Sequence, residues 1–176
     1  MTRVVLSIGS NVGDRLARLQ SVLDGLGDAV RAVSPVYETE AWGGVEQGAF
    51  LNAVVVADDP ERDCHDWLRR GQALEQAADR VREQRWGPRT LDVDIVTCHD
   101  GDDEIRCETS DLTLPHPYAH LRAFVLVPWL AADPQATLTV AGTTRTVALW
   151  IEELDASERN GVRPIDRALR ADVTAD

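Results

Sequence analysis

The chain contains no lysine; all 18 of its basic residues are arginine. A Walker A phosphate loop needs its lysine, a protein-kinase fold needs the lysine of its third strand, and Schiff-base catalysis needs a lysine amine. All three are excluded, whatever compositional bias produced the absence. Phosphate chemistry here has to use arginine, metal ions or backbone amides. Basic charge as a whole is scarce: 30 acidic residues leave a net charge of −12. That balance argues against non-specific nucleic-acid binding, which needs a basic face, but it leaves room for one local basic pocket. Cysteine is sparse too. Cys64, Cys98 and Cys107 are odd in number and form no CxxC pair, the pattern of a reduced cytoplasmic protein. Long apolar runs are missing: the longest, 123–132, contains Pro128 and is too short to span a bilayer. No secretory signal is read after Met1. The 176 residues fit one domain able to bury a core without a disulfide or metal staple.

What is present reads as alternating strands and helices. Residues 4–8 form a buried strand, followed by a Gly-Ser-Asn turn with Asp14 as a helix N-cap. Leu16, Leu19, Val22, Leu23 and Leu26 recur at helical spacing until Gly27. Residues 29–38 read as a strand with Pro35 marking an edge or bulge. The glycine-rich 39–48 reads as a mobile loop, and 50–57 as a third strand. Asp59-Pro60 is expected to open a second helix, with Trp67, Leu68, Gly71, Leu74 and Ala78 as its inner stripe. A loop covers 80–90, a strand covers 91–97, and 100–111 is an acidic connection with a short strand near Ile105. A buried helical turn follows at 124–130 and a short helix near 149–154. The order β-α-β-β-α-β is the ferredoxin-like split arrangement, an α+β fold with a mainly antiparallel sheet and helices packed on it. Residues 1–156 are expected to form the domain and 157–176 a polar surface tail.

The strongest local feature is Leu91-Asp92-Val93-Asp94-Ile95. Strand side chains alternate, so Leu91, Val93 and Ile95 share one face. Asp92 and Asp94 share the other, about 7 Å apart along the strand. Two carboxylates on one face repel unless water or a cation screens them. Four arginines, Arg80, Arg82, Arg85 and Arg89, lie just upstream with Trp86 among them. A carboxylate pair suits Mg²⁺, which prefers oxygen; clustered arginines suit a polyphosphate through bidentate bonds. Together they favour a Mg²⁺–nucleotide site over a solvated strand face. A second cluster is Pro115-His116-Pro117, followed by Arg122 and Phe124. His116 and His120 are four apart, but the prolines are incompatible with the helix a zinc motif needs.

The run Arg85-Trp86-Gly87-Pro88-Arg89-Thr90-Leu91-Asp92-Val93-Asp94-Ile95 resembles, almost position for position, the signature of the 6-hydroxymethyl-7,8-dihydropterin pyrophosphokinases of folate biosynthesis. Ile8-Gly9-Ser10-Asn11, Tyr37-Glu38-Thr39, Phe50-Leu51-Asn52-Ala53, Gln72-Ala73-Leu74-Glu75 and Pro115-His116 are similar to that family as well, in the same order, over about residues 4–155. The resemblance implies an enzyme that moves pyrophosphate from ATP, its co-substrate, to the hydroxymethyl group of 6-hydroxymethyl-7,8-dihydropterin, leaving AMP. It implies that Asp92 and Asp94 hold two Mg²⁺. It implies that Arg80, Arg82 and Arg89 act on the reacting phosphates, Arg80 and Arg82 from a mobile loop. Gln72, Glu75, Arg85, Trp86, Thr113 and His116 would form the ATP side. Asn52, with the backbone at Thr39 and Trp42, would read the pterin edge. Phe50 and Phe124 would sandwich the pterin ring, and Arg122 would lie near its hydroxymethyl group. A cytoplasmic monomer acting on small molecules, with no nucleic acid or membrane partner, is expected.

Two rival readings are weaker. A nucleotidyltransferase of the polymerase-β type also pairs Gly-Ser with Asp-x-Asp, but close in sequence, whereas some eighty residues separate Ser10 from Asp92. A non-catalytic ferredoxin-like module leaves the arginine cluster and the carboxylate pair without a purpose.

Overall fold

A computed structural model of the chain describes residues 2–40, 48–80 and 90–171. The central strand is β1, Thr2–Ser10. Its apolar residues Val4, Val5, Leu6 and Ile8 are buried on both faces of the sheet. Helix α1, Arg15–Leu26, follows; Asp14 caps it by accepting the Ala17 N–H at 3.1 Å, and Gly27 ends it with φ of 54°. Strands β2 (Val30–Val33), β3 (Tyr37–Thr39) and β4 (Phe50–Asp59) come next, then helix α2 (Cys64–Arg80) and strand β5 (Asp92–Asp100). β1 pairs antiparallel with β4 on one side and β5 on the other, and β2 and β3 both pair with β4. This is the ferredoxin-like α+β arrangement expected from the sequence.

The remaining elements decorate that core. They are the short strands β6 (Asp103–Glu104), β7 (Cys107–Glu108) and β8 (Thr113–Leu114), helix α3 (Ala123–Ala132), the hairpin β9 (Thr137–Val140) and β10 (Thr143–Thr146), helices α4 (Val147–Glu152) and α5 (Ala156–Asn160), and strand β11 (Val162–Pro164). Period-two alternation divides the sheet into two faces. Val4, Leu6, Ile8, Leu91, Val93 and Ile95 pack with Leu19, Leu23, Trp67 and Leu74 of α1 and α2. Val5, Val54, Val56 and Val96 pack with Leu126, Trp129 and Trp150 of α3 and α4. Gly71 lets α2 approach β5 closely, since a Cβ there would lie 3.2 Å from Val93 Cγ1. A bulge at Val96 shifts the β1–β5 register between Leu6↔Ile95 and Val5↔Thr97. Cys64 and Cys98 are buried with their sulfurs 2.7 Å apart, and burial pushes both thiols above the ordinary cysteine range.

Three sequence expectations are corrected. The strand over 29–38 is two strands, because Pro35 has no N–H to continue the ladder. Ser34 bridges the break: its N–H donates to Val54 O and its Oγ accepts the Val54 N–H, both at 2.9 Å. The second helix starts at Cys64 rather than at Asp59-Pro60. Asp59 instead closes a turn by accepting the Glu61 N–H at 2.9 Å. Asp63 and Asp66 form a reciprocal cap, Asp66 N–H to Asp63 Oδ1 at 2.8 Å and Asp63 N–H to Asp66 Oδ2 at 3.0 Å. The polar stretch after 156 is not a free tail as far as 171. β11 joins the sheet beside β3, and Leu169 is buried against the α1 side of the core.

The cap on α2 predicts that Asp63→Ala lowers unfolding free energy by about 1 kcal/mol in a urea titration, with an unchanged denaturant slope.

Candidate active site

Register places the candidate residues on one face of the sheet. Asn52 of β4 lies opposite Gly9 of β1, which lies opposite Asp92 of β5; one step further, Val54, Ser7 and Asp94 form the next row. These rows belong to the face that α3 and α4 cover elsewhere, and they line a pocket of about 220 Å³. Thr39 and Phe50 close it from the β3 side, Arg122 and Phe124 from the start of α3. Seven of the residues expected from sequence thus converge: Thr39, Phe50, Asn52, Asp92, Asp94, Arg122 and Phe124.

Gly9 makes the floor. A Cβ there would stand 2.8 Å from Asn52 Oδ1 and 3.6 Å from Phe50 Cδ1, so any side chain would displace the amide. Asn52 is almost wholly buried, and its Nδ2 donates to Thr39 Oγ1 at 2.6 Å. That bond fixes the amide plane and leaves Oδ1 on the Gly9 side. Thr39 therefore contributes through its side chain, by orienting Asn52. The Arg122 guanidinium sits 5.5 Å from the ring centroids of both Phe124 and Tyr118, a cation–π arrangement that holds the charge at the pocket wall.

Asp92 is half-buried and Asp94 exposed. Among the described residues no group of three or more His, Cys, Asp or Glu could hold a metal. Two carboxylates without a third protein ligand fit Mg²⁺, which keeps waters and substrate oxygens in its shell; they do not fit a closed structural site.

His116 lies beside this pocket rather than in it. It lines a second one, of about 600 Å³, with Thr113 and the β9–β10 turn. Its backbone N–H donates to Val96 O at 2.9 Å, and its Nδ1 accepts the Tyr118 N–H at 3.2 Å. The hydrogen therefore sits on Nε2, which becomes the donor. Burial pushes the His116 pKa below its ordinary value; the Asp94 carboxylate opposes that shift and the Arg122 guanidinium adds to it.

Gln72 and Glu75 are on α2 and line neither pocket. Arg80 ends α2, and its side chain lies outside the described residues, as do Trp42, Arg82, Arg85, Trp86 and Arg89. Sequence reasoning missed Ser7, Gly9 and Glu40 as lining residues. Ser7 carried one signal, a polar residue inside an apolar strand.

Comparison with known proteins shows the family. The family model described as 7,8-dihydro-6-hydroxymethylpterin-pyrophosphokinase matches residues 5–134. The chain is 60% identical over 177 residues to the 2-amino-4-hydroxy-6-hydroxymethyldihydropteridine pyrophosphokinase of Mycobacterium leprae, covering 97% of this chain and 92% of that protein. It is 35% identical over 136 residues to the protein of that name from Aquifex aeolicus, covering 76% and 82%. Among solved structures, the Plasmodium falciparum HPPK-DHPS wild type with SDX-DHP superposes with a TM-score of 0.64 at 14% identity. The match covers 86% of this chain but spans only 44% of that longer one, and it shows the fold alone.

Two outcomes are expected. Gly9→Ala should break the Asn52–Thr39 bond, seen as a shift of the Asn52 side-chain amide resonances, with a stability loss of roughly 1–3 kcal/mol. In the free protein His116 should titrate by NMR below 6.5. A folded pKa below the unfolded one means that its stabilising contribution is complete above that value and is lost as pH falls through the folded midpoint.

Proposed function

The chain belongs to the 7,8-dihydro-6-hydroxymethylpterin-pyrophosphokinase family, and from that premise we propose how its own residues divide the work. The reaction moves pyrophosphate from ATP to the hydroxymethyl group of 6-hydroxymethyl-7,8-dihydropterin, giving AMP and the pterin diphosphate, in folate biosynthesis. The 220 Å³ pocket takes the pterin. The observation that supports this is the convergence there of two phenyl rings, a buried oriented amide, an arginine and two carboxylates. A flat bicyclic ring suits Phe50 and Phe124 as aromatic walls. The Asn52 amide presents polar atoms to the pterin edge, and a ligand lacking the matching groups would leave a buried polar group unpaired. Arg122 stands where the hydroxymethyl group and the incoming phosphate meet.

The hydroxymethyl oxygen gives up its proton to water and bonds to the β-phosphorus while the bond from that phosphorus to the α–β bridging oxygen breaks, and AMP leaves with the bridging oxygen. ATP brings about four negative charges that repel this attack. Asp92 and Asp94 would hold two Mg²⁺, and such ions would supply charge neutralisation and orientation of the triphosphate. His116 donates from Nε2 to a phosphate oxygen, with Thr113 beside it at the second pocket. Gln72, Glu75, Arg85 and Trp86 complete the ATP side. Arg80, Arg82 and Arg89 contact the reacting phosphates; in a chain without lysine they belong to the cluster of cations just upstream of Asp92 in the sequence. Trp42 extends the pterin edge begun at Thr39. The enzyme works as a cytoplasmic monomer on small molecules, without nucleic acid or membrane. The charge of −12 disfavours nucleic acid, and among the described residues no helix is long and apolar enough to cross a membrane.

Incubation with ATP, Mg²⁺ and 6-hydroxymethyl-7,8-dihydropterin should release AMP only when the pterin is present. AMP formation without pterin, or release of inorganic pyrophosphate, would refute the reading. Asp92→Ala and Asp94→Ala should each lower kcat by at least about 10²-fold with the circular dichroism spectrum unchanged, and chelation by EDTA should stop the parent enzyme.

A further inference from the structure

The segment 156–171 has no apolar periodicity, yet it touches both walls of the pocket. Glu158 of α5 accepts the Ala123 N–H on Oε1 at 3.2 Å. Ala123 opens α3, is fully buried, and stands between the two pocket residues Arg122 and Phe124. α3 has no side-chain cap of its own, so Glu158 supplies from a distant part of the chain the acceptor that an N-cap residue ordinarily provides. A carboxylate at that end of a helix is favoured as well.

The opposite wall is held by backbone. β11 pairs antiparallel with β3, Val162 opposite Thr39, and Ile165 N–H donates to Val36 O at 3.0 Å. Thr39 orients Asn52. Without β11, the three residues of β3 would be an open sheet edge. Arg163 also reaches Glu38 and the pocket-lining Glu40, at 3.9 and 3.8 Å, through exposed pairs that contribute little alone. Beyond β11 the segment is anchored. Leu169 is buried in the core, and the Gln20 side chain bonds both the N–H and the C=O of Arg170, at 2.9 and 2.7 Å.

We propose that segment 156–171 is a positioning element of the pterin pocket, with Glu158 setting the Arg122–Phe124 wall and β11 setting the Thr39–Asn52 wall. The inference rests on the reading of that pocket as the pterin site. It has a selective consequence, because the second pocket, where Thr113 and His116 lie, is lined by no residue of the segment. Disturbing the segment weakens pterin recognition and spares ATP.

Steady-state kinetics of full-length variants test this. Glu158→Ala should raise KM for the pterin at saturating ATP about 5-fold, with KM for ATP within about 2-fold of the parent. Glu158→Gln, which keeps the accepting oxygen, should return the pterin KM to near the parent value. Arg163→Glu changes an exposed side chain and places a third acid against Glu38 and Glu40; it should raise the pterin KM about 2-fold in the same selective way. Equal movement of both constants, a lowered Tm with an unchanged pterin KM, or Glu158→Gln behaving like Glu158→Ala would overturn the positioning role. Asn52→Ala separates the two levels. If it leaves the pterin KM unchanged, the pocket assignment itself is wrong. If it raises that KM while the segment variants do not, only the segment's role is lost.

Discussion

The register of β1 between β4 and β5 is the constraint on which the rest depends. Strand side chains alternate with period two, so one slipped residue would carry Asp92 and Asp94 to the face that α1 and α2 cover and Val93 to the pocket. Both cores hold the register. Val4, Leu6 and Ile8 are committed to the α1–α2 side and Val5 to the α3–α4 side, so a slip would cost apolar burial on both faces at once. The bulge at Val96 lies beyond the carboxylates and leaves them in phase with Gly9 and Ser7. Packing thus aligns Asn52, Gly9 and Asp92 in one row, where the absent side chain of Gly9 makes room for the Asn52 amide.

The pocket concentrates opposed demands. In a protein of charge −12, two carboxylates, Asp92 and Asp94, and one guanidinium, Arg122, line the same pocket. Arg122 is held at the wall beside two aromatic rings, those of Tyr118 and Phe124. His116 is kept neutral by burial and fixed as an Nε2–H donor by its bond from the Tyr118 amide. It can therefore meet a phosphate oxygen by hydrogen bonding without bringing a full charge into a half-buried position.

The ferredoxin-like core was readable because its elements are long and strongly periodic. The α1 stripe, the apolar runs of β1 and β4, and the alternation at 91–95 each encode their own burial. The places that were misread are those where backbone hydrogen bonding or a local cap outweighs apolar pattern. Pro35 divides a strand that a serine side chain then bridges. Asp63 and Asp66 cap each other and move the start of α2 past Pro60. β11 is three residues with no apolar pattern, and it is a strand only because β3 offers it an edge.

By itself, the sequence determined the chemistry. A chain without lysine has arginine, metal ions or backbone amides for phosphate, and its Asp-x-Asp strand follows directly on an arginine cluster. Tertiary structure alone decided the assembly. It brought Asn52, Gly9 and Asp92 into one row from three separated segments, showed that Thr39 acts by orienting Asn52, and turned an apparent tail into a strand and a helix cap behind the pocket. The physical reason is that residue type and spacing report local periodicity, whereas register, close approach and long-range hydrogen bonds exist only once distant segments pack together.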